Sequence, residues 1–211
     1  RCKWSFGSSG KLRTNCFEPF FPKTAHSKHP DSWAYDAVFY HLLEQDLQRD
    51  FYVIKWSLGG TAIDPGNKSS THGKYWSADK DWLQKNKSTL RGGKSLLLSF
   101  VEQIDKCIDE QLSVLPNGYE IKAFLWHQGE SDMQMDGNYY DNLKAVVGYV
   151  RNHLVEKTGN TNYATLPFFC CTGSRSNKCF SADVENAMWK LSKDMQNFHF
   201  IDMSDGELQR D

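Results

Sequence analysis

"YEIKAFLWHQGESDM" (119–133) sets an apolar, largely aromatic run against a packed series of His, Gln, Glu and Asp around Gly129. The first half, 119–126, predicts a strand. The second half predicts partners, because polar groups beside a buried strand are costly to leave unsatisfied. Pro116-Asn117-Gly118 punctuates the chain just before it. Upstream, Leu97, Val101, Ile104, Ile108, Leu112 and Leu115 recur at helical spacing, and downstream Tyr140, Leu143, Val147, Val150 and Leu154 do the same. A strand between two long amphipathic helices is the unit from which parallel sheets are built.

The alternation extends in both directions. Apolar residues at helical spacing after Asp31 or Ser32, a candidate N-cap, predict a helix over 32–49. "FYVIKWSL" (51–58) predicts a strand that ends at Gly59-Gly60, and "LPFFCC" (166–171) and "FHFID" (198–202) predict two more, with a helix through Ala187, Leu191 and Met195 between them. Strands separated by helices of this length predict an α/β fold, a three-layer sandwich with a central parallel sheet flanked by helices. Residues 61–93 read as one long Gly-, Ser-, Lys- and Asn-rich loop, of a length that tends to be functional. Residues 1–31, with Pro19, Pro22 and Pro30, read as an irregular loop. The pattern predicts a single domain over 1–211.

The chain is 39% hydrophobic and 24% charged, with a formal charge of −1, so no overall field draws it to nucleic acid or to a membrane surface. Its longest apolar runs stop within eight residues, and no membrane span or signal peptide is legible. Cysteines at 2, 16, 107, 170, 171 and 179 show no C-x-x-C spacing and no paired-His motif, which argues against zinc. Cys107 falls on the apolar face of its helix. Cys2 with Cys16, and Cys170 or Cys171 with Cys179, can pair in an oxidising compartment, which the sequence leaves open. "RGGKS" (91–95) ends like a phosphate-binding loop, but that pattern needs Gly where Ser88 stands and a strand where the chain is polar.

In open α/β sheets, ligands sit beyond the carboxyl ends of the strands. Gly59-Gly60-Thr61 and His127-Gln128-Gly129-Glu130 both fall at such ends. Paired glycines let backbone approach a ligand and turn an N–H toward it, and the Gln128 amide can supply a second neutral donor. Two such donors on one point make an oxyanion hole for a tetrahedral acyl intermediate, at roughly 3 kcal/mol per donor. Glu130 can orient a histidine base, as the acid of a Ser-His-Asp/Glu triad does. Taken singly, each residue has a plainer reading: Gly-Gly as a turn, His127 as a hydrogen-bonded structural group, Gln128 and Glu130 as solvated surface. Two clusters at one sheet edge favour a site.

"WHQGESD" (126–132) closely resembles the signature of the family 6 carbohydrate esterases and the related sialate O-acetylesterase-like domains of the SGNH hydrolase superfamily. "IKWSLGGTAI" (54–63) resembles that group's second block, and "YW" (75–76) and "YDNL" (140–143) agree with it. The resemblance runs from about Trp33 to the C-terminus. It implies a flavodoxin-like SGNH sandwich and serine-dependent removal of acetyl groups from an acetylated carbohydrate, of acetylxylan or sialate type, with no metal or organic cofactor. Carried over, Gly60 and Gln128 are the oxyanion donors. Either Glu130 or Asp211, the Asp of a terminal Asp-x-x-His block, supports the histidine base. Gly59, Thr61, Trp76 and His127 are candidates for substrate contact, with Trp56, Tyr75 and Trp82 beside them.

The chain departs from that pattern at both edges. It holds no Gly-Gln-Ser-Asn turn for the nucleophile, Ser8 and Ser9 lie in the loop that follows the nucleophile in such esterases, and the His due after Asp211 falls past the last residue. None of His26, His29, His41, His72, His153 and His199 is placed to substitute. The expectation is a domain trimmed at its first strand and its last block. A rearranged or partner segment, and a non-catalytic carbohydrate-binding module on the same fold, are the alternatives. An extracellular or periplasmic location follows from the substrate class; the particular glycan and the oligomeric state are not legible.

Overall fold

The computed structural model describes residues 1–8, 11–12, 17–20, 35–86, 93–133 and 138–204. Strands β1 (Cys2–Ser8), β2 (Lys11–Leu12), β3 (Glu18–Pro19) and β4 (Phe51–Trp56) form one sheet. Strands β5 (Phe124–Trp126), β6 (Phe168–Cys171) and β7 (Phe198–Ile201) form a second, in the order β5-β6-β7. The pairings β1–β4, β5–β6 and β6–β7 are parallel, and β2 and β3 add to β1 antiparallel. The expected α/β architecture is present, with its strands divided among the described residues into two ladders rather than one continuous sheet.

β1 corrects the reading of residues 1–31 as irregular. It registers with β4 from Cys2↔Phe51 to Gly7↔Trp56. Cys2 and Trp4 are buried on one face, where the Trp4 ring meets Phe20 edge-on at 5.0 Å. On the other face Ser5 accepts from the Gln103 amide, through its carbonyl at 2.9 Å and its hydroxyl at 3.1 Å. Ser5 and Gly7 carry little β-propensity, so this strand is specified by its non-local partner and not by its own composition.

Helix α1 (Tyr35–Leu47) packs against the β1 side, while α3 (Leu96–Cys107), α4 (Tyr139–Thr158) and α5 (Ala182–Asp194) cover the opposite face. The N-cap expected at Asp31 or Ser32 lies outside the described residues. The 61–93 segment contains a short helix, α2 (Lys80–Lys85), N-capped by the Asp79 carboxylate. The Ser95 hydroxyl caps α3 at Leu98, Ser181 caps α5, and α4 stops at Gly159, whose φ of 72° only glycine adopts freely. After Cys107, α3 widens into a π-turn over Ile108–Leu112.

Leu96, Leu97, Leu143, Val146, Val147, Met188 and Leu191 are completely buried between these helices and the sheet. Phe124, Phe168 and Phe198 occupy one row across β5, β6 and β7, with ring centroids 4.7 Å and 5.1 Å apart. Such cross-strand aromatic pairs add about 1 kcal/mol each beyond their burial and pin the register. The buried Arg151 guanidinium donates to the carbonyls of Leu166, Gln196 and Asn197, holding the entry of β6 against the α5–β7 turn. No described helix is long and apolar enough to cross a membrane.

Candidate active site

β4 and β5 end at the same side of the molecule, and the segments leaving them are stitched together. Gly60 turns the chain at φ 69°, and its carbonyl accepts from the Thr71 amide at 2.9 Å and the Thr71 hydroxyl at 3.0 Å. Thr61 closes the same turn through its hydroxyl onto the Leu58 carbonyl. The Gln128 side chain reaches across from β5, and its Nε2 donates to the Thr61 carbonyl at 3.0 Å and to Asp132 Oδ2 at 2.5 Å. The two clusters singled out in the sequence therefore meet at one edge.

Asp132 is the hub of that seam. It is 1% exposed, and its carboxylate accepts from the Ile63 amide at 2.9 Å and from Asn67 Nδ2 at 3.3 Å as well as from Gln128. Asn67 also donates to the Ser131 carbonyl at 2.6 Å. Burial pushes the Asp132 carboxyl up from its ordinary value, and the bonds from Gln128, Ile63, Asn67 and Asp64 pull it back. Tyr139, at the start of α4, donates to the Gln128 backbone carbonyl at 2.9 Å and to its side-chain oxygen at 3.0 Å, while the Trp126 indole N–H donates to the Tyr139 hydroxyl. Complete burial holds the Tyr139 phenol well above its ordinary value, so it stays protonated.

Gly129 makes this loop possible. Its φ is 146°, and a Cβ there would stand 2.6 Å from Val184 Cγ1 on α5. The backbone can then lie flat on α5 and lead into the single 3₁₀ turn Glu130–Asp132. Outside the loop, His127 and Glu130 face each other, Nε2 to Oε1 at 3.5 Å, and both are partly open to solvent. Tyr35 of α1 meets the His127 ring edge-on at 5.1 Å. A crevice between the ends of β5 and β6 is lined by His127, Gly129, Glu130, Thr172, Cys179 and Val184, and its enclosed part has room for about one water molecule. The Thr172 hydroxyl is buried there with no partner among the described residues.

The structure brings together Gly59, Gly60, Thr61, His127, Gln128 and Glu130, with differences in how they present themselves. Gly59, Gly60, His127 and Glu130 are exposed, whereas the Thr61 side chain is buried and spent on its own turn. Trp76 is a correction: it is 7% exposed and packs edge-on against Trp126 at 5.3 Å and Phe100 at 6.2 Å, so its ring belongs to the core and offers no platform to a sugar. Trp56 is likewise core, while Trp82 is half-buried beside Tyr75. Asp211 and Ser9 lie outside the described residues, as does the Ser8 side chain. Cys2, Cys107, Cys170, Cys171 and Cys179 are free thiols, and Cys16 lies outside the described residues. Among the described residues, no three of His, Cys, Asp and Glu come together as a metal cluster. Asp132 and Tyr139 are not set apart by the sequence; the only signal for Asp132 is an acidic residue closing the polar run two positions past Glu130, and its burial between the exposed Glu130 and Met133 is visible only in the fold.

The fold is α/β with paired polar loops meeting at its strand ends, and comparison with protein families supplies the class. The family model described as carbohydrate esterase, sialic acid-specific acetylesterase, matches residues 42–211. The chain belongs to that carbohydrate esterase family. No curated protein and no solved structure matches it.

Proposed function

We propose that this chain is the esterase domain of a carbohydrate O-acetylesterase of sialate or acetylxylan type, acting through a serine acyl-enzyme. In the first half-reaction the serine oxygen adds to the acetyl carbonyl, and a histidine base takes its proton. The carbonyl oxygen becomes negative and is received by the Gly60 N–H and the Gln128 amide. Collapse expels the sugar hydroxyl, which takes the proton back from the histidine, and water then releases acetate from the acyl-serine by the same sequence. Glu130 or Asp211 supports the histidine. A single-domain arrangement and an extracellular or periplasmic location accompany this reading, since acetylated glycans are the substrate.

The observation that carries the reading is the meeting of the Gly59–Thr61 turn with Gln128, joined by the Gln128–Thr61 bond at 3.0 Å, in a chain whose family is that of carbohydrate acetylesterases. A glycine backbone and a neutral carboxamide at one sheet edge are the groups an acyl-transfer oxyanion hole needs. The test is hydrolysis of p-nitrophenyl acetate and of acetylated sugars by the full-length protein. A burst of nitrophenol abolished by a serine-directed phosphonate is the expected result. Glycan binding without any turnover would instead make the protein a binding module on this fold.

A further inference from the structure

The Gln128 carboxamide carries one oxygen and one NH₂, and a half-turn about its last torsion exchanges them. Its surroundings remove that freedom. The Trp126 indole can only donate, and it points at the Tyr139 hydroxyl at 3.2 Å, so the one phenolic proton is sent on to Gln128, where it is shared between the backbone carbonyl at 2.9 Å and the side-chain oxygen at 3.0 Å. On the other side, the Thr61 carbonyl can only accept, and the Asp132 carboxylate, turned toward the Ile63 and Asn67 N–H groups as well, accepts too; both take hydrogens of Gln128 Nε2. Polarity therefore runs in one direction, from Trp126 through Tyr139 and Gln128 to Asp132. Asp132 is in turn fixed by Ile63 and Asn67, and Asp132, Tyr139 and Gln128 are all buried.

We propose that Asp132 is a positioning residue for acetyl transfer, acting through Gln128: its carboxylate holds the carboxamide with NH₂ toward the Gly59-Gly60-Thr61 turn, so that the developing oxyanion meets a donor and not a carbonyl. The inference rests on the reading of Gln128 as an oxyanion donor. Both Gln128 hydrogens are engaged in the structure, and they are not equivalent. Releasing the one on Asp132 takes a donor from a buried carboxylate and leaves it only Ile63 and Asn67, whereas the Thr61 carbonyl is a neutral acceptor. The hydrogen on Thr61 is thus the one delivered to substrate, and the substrate oxygen competes with a single backbone carbonyl for it.

Asp132→Asn conserves volume but offers either a donor or an acceptor to Gln128, so the polarity is no longer forced. In the full-length protein with an acetyl ester, the expected result is a fall in kcat of about 10- to 100-fold, short of the 10²- to 10³-fold typical of removing an oxyanion donor, with KM changed less than about threefold. The double variant Gln128→Ala/Asp132→Asn should be no more than about twofold slower than Gln128→Ala alone. Asp132→Asn slowing the Gln128→Ala enzyme by its full factor, or raising KM with kcat intact, overturns the proposal. If Asp132→Asn does not fold, Tyr139→Phe removes the donor at the other end of the chain and should show the same non-additivity with Gln128→Ala; additive losses there overturn it equally. Gln128→Ala with undiminished kcat defeats the oxyanion reading itself, whereas a slow Gln128→Ala beside an unaffected Asp132→Asn defeats this inference alone.

Discussion

Gln128 and Thr61, 67 residues apart in sequence, are joined by a 3.0 Å hydrogen bond from the Gln128 amide to the Thr61 carbonyl. That bond, with the Ile63–Asp132 bond beside it, ties the ends of the two ladders together at the strand ends, the edge where an open α/β sheet places its ligands. Its consequences reach the turn, the loop and the core beneath them.

Gly60 bears on the turn. A side chain at φ 69° is strained, and its Cβ would stand 2.6 Å from Thr71 Oγ1, so the exposed Thr71 side chain would have to shift and give up its bond to the Gly60 carbonyl. Gly60→Ala should therefore cost about 2 kcal/mol of stability in urea unfolding, from the strained φ and the lost Thr71 bond. Because the Gly60 N–H would be turned out of line, kcat for an acetyl ester should fall by about 100-fold in the same protein. Equal, small losses in both measurements would remove Gly60 from the oxyanion role.

At Gly129 the obstruction is the β-branched Val184 side chain, held in the core at 2.6 Å from a hypothetical Cβ, and φ is 146°. Gly129→Ala should destabilise the protein by about 3 kcal/mol, read as a lower urea midpoint. Val184→Ala should restore part of that loss in the double variant.

The two tryptophans of the 61–93 segment separate core from surface. Trp76→Ala should cost about 3–5 kcal/mol of stability, as removal of a buried indole does. Trp82 is half-buried against Tyr75. Trp82→Ala should leave the melting temperature nearly unchanged and raise KM for an acetylated oligosaccharide about fivefold, the loss of one aromatic contact. Isothermal titration with a non-hydrolysable glycan and thermal unfolding would tell the two apart.

Arg151 spends its guanidinium on backbone carbonyls, and burial lowers its pKa from the ordinary value. Arg151→Met fills the space but removes the guanidinium from the Leu166 and Gln196 carbonyls, while the Asn197 carbonyl keeps the Phe168 amide. A loss of about 3 kcal/mol is expected, together with faster amide exchange at the start of β6. Arg151→Lys should recover less than half of it.

Glu102 gives the fold a pH dependence. Burial first, then the charge of Asp105, pushes its carboxyl up to about 7. Asp105 is itself turned to His153 at 2.8 Å, and Tyr149 stacks on that imidazole. A folded-state pKa above the unfolded value means the folded chain holds the proton more tightly. The Glu102 contribution is therefore fully present below pH 4.5 and is lost as pH rises through about 7. Glu102→Gln should match the wild type near pH 4, exceed it in melting temperature at pH 8, and flatten the slope between. An unchanged slope would assign the dependence to other groups.

Local pattern made much of this legible. The helices α3, α4 and α5 announce themselves through apolar residues at 3.6-residue spacing, and the strands at 51–56, 124–126, 168–171 and 198–201 through short aromatic and β-branched runs. Their ends were less exact. Residues 119–123 join no ladder, and Ile121 instead donates to the Tyr163 hydroxyl. β1 is not legible locally because a strand of Cys, Lys, Trp, Ser, Phe and Gly is held in place by β4 and Gln103, nearly fifty and a hundred residues away. Trp76 reads as surface from sequence because an indole in a polar loop looks the same whether it faces out or in, and here Trp126 and Phe100 draw it in.

By itself, the sequence determined the α/β class, the two polar clusters at strand ends and the resemblance to carbohydrate esterases, since propensity, periodicity and short motifs are encoded within a few residues of one another. Only the tertiary structure decided that Gln128 is held by Thr61, Tyr139 and Asp132 together, and that Asp132 is the hub. Hydrogen-bond polarity is a property of what surrounds a group, and the groups around Gln128 come from three separate stretches of the chain.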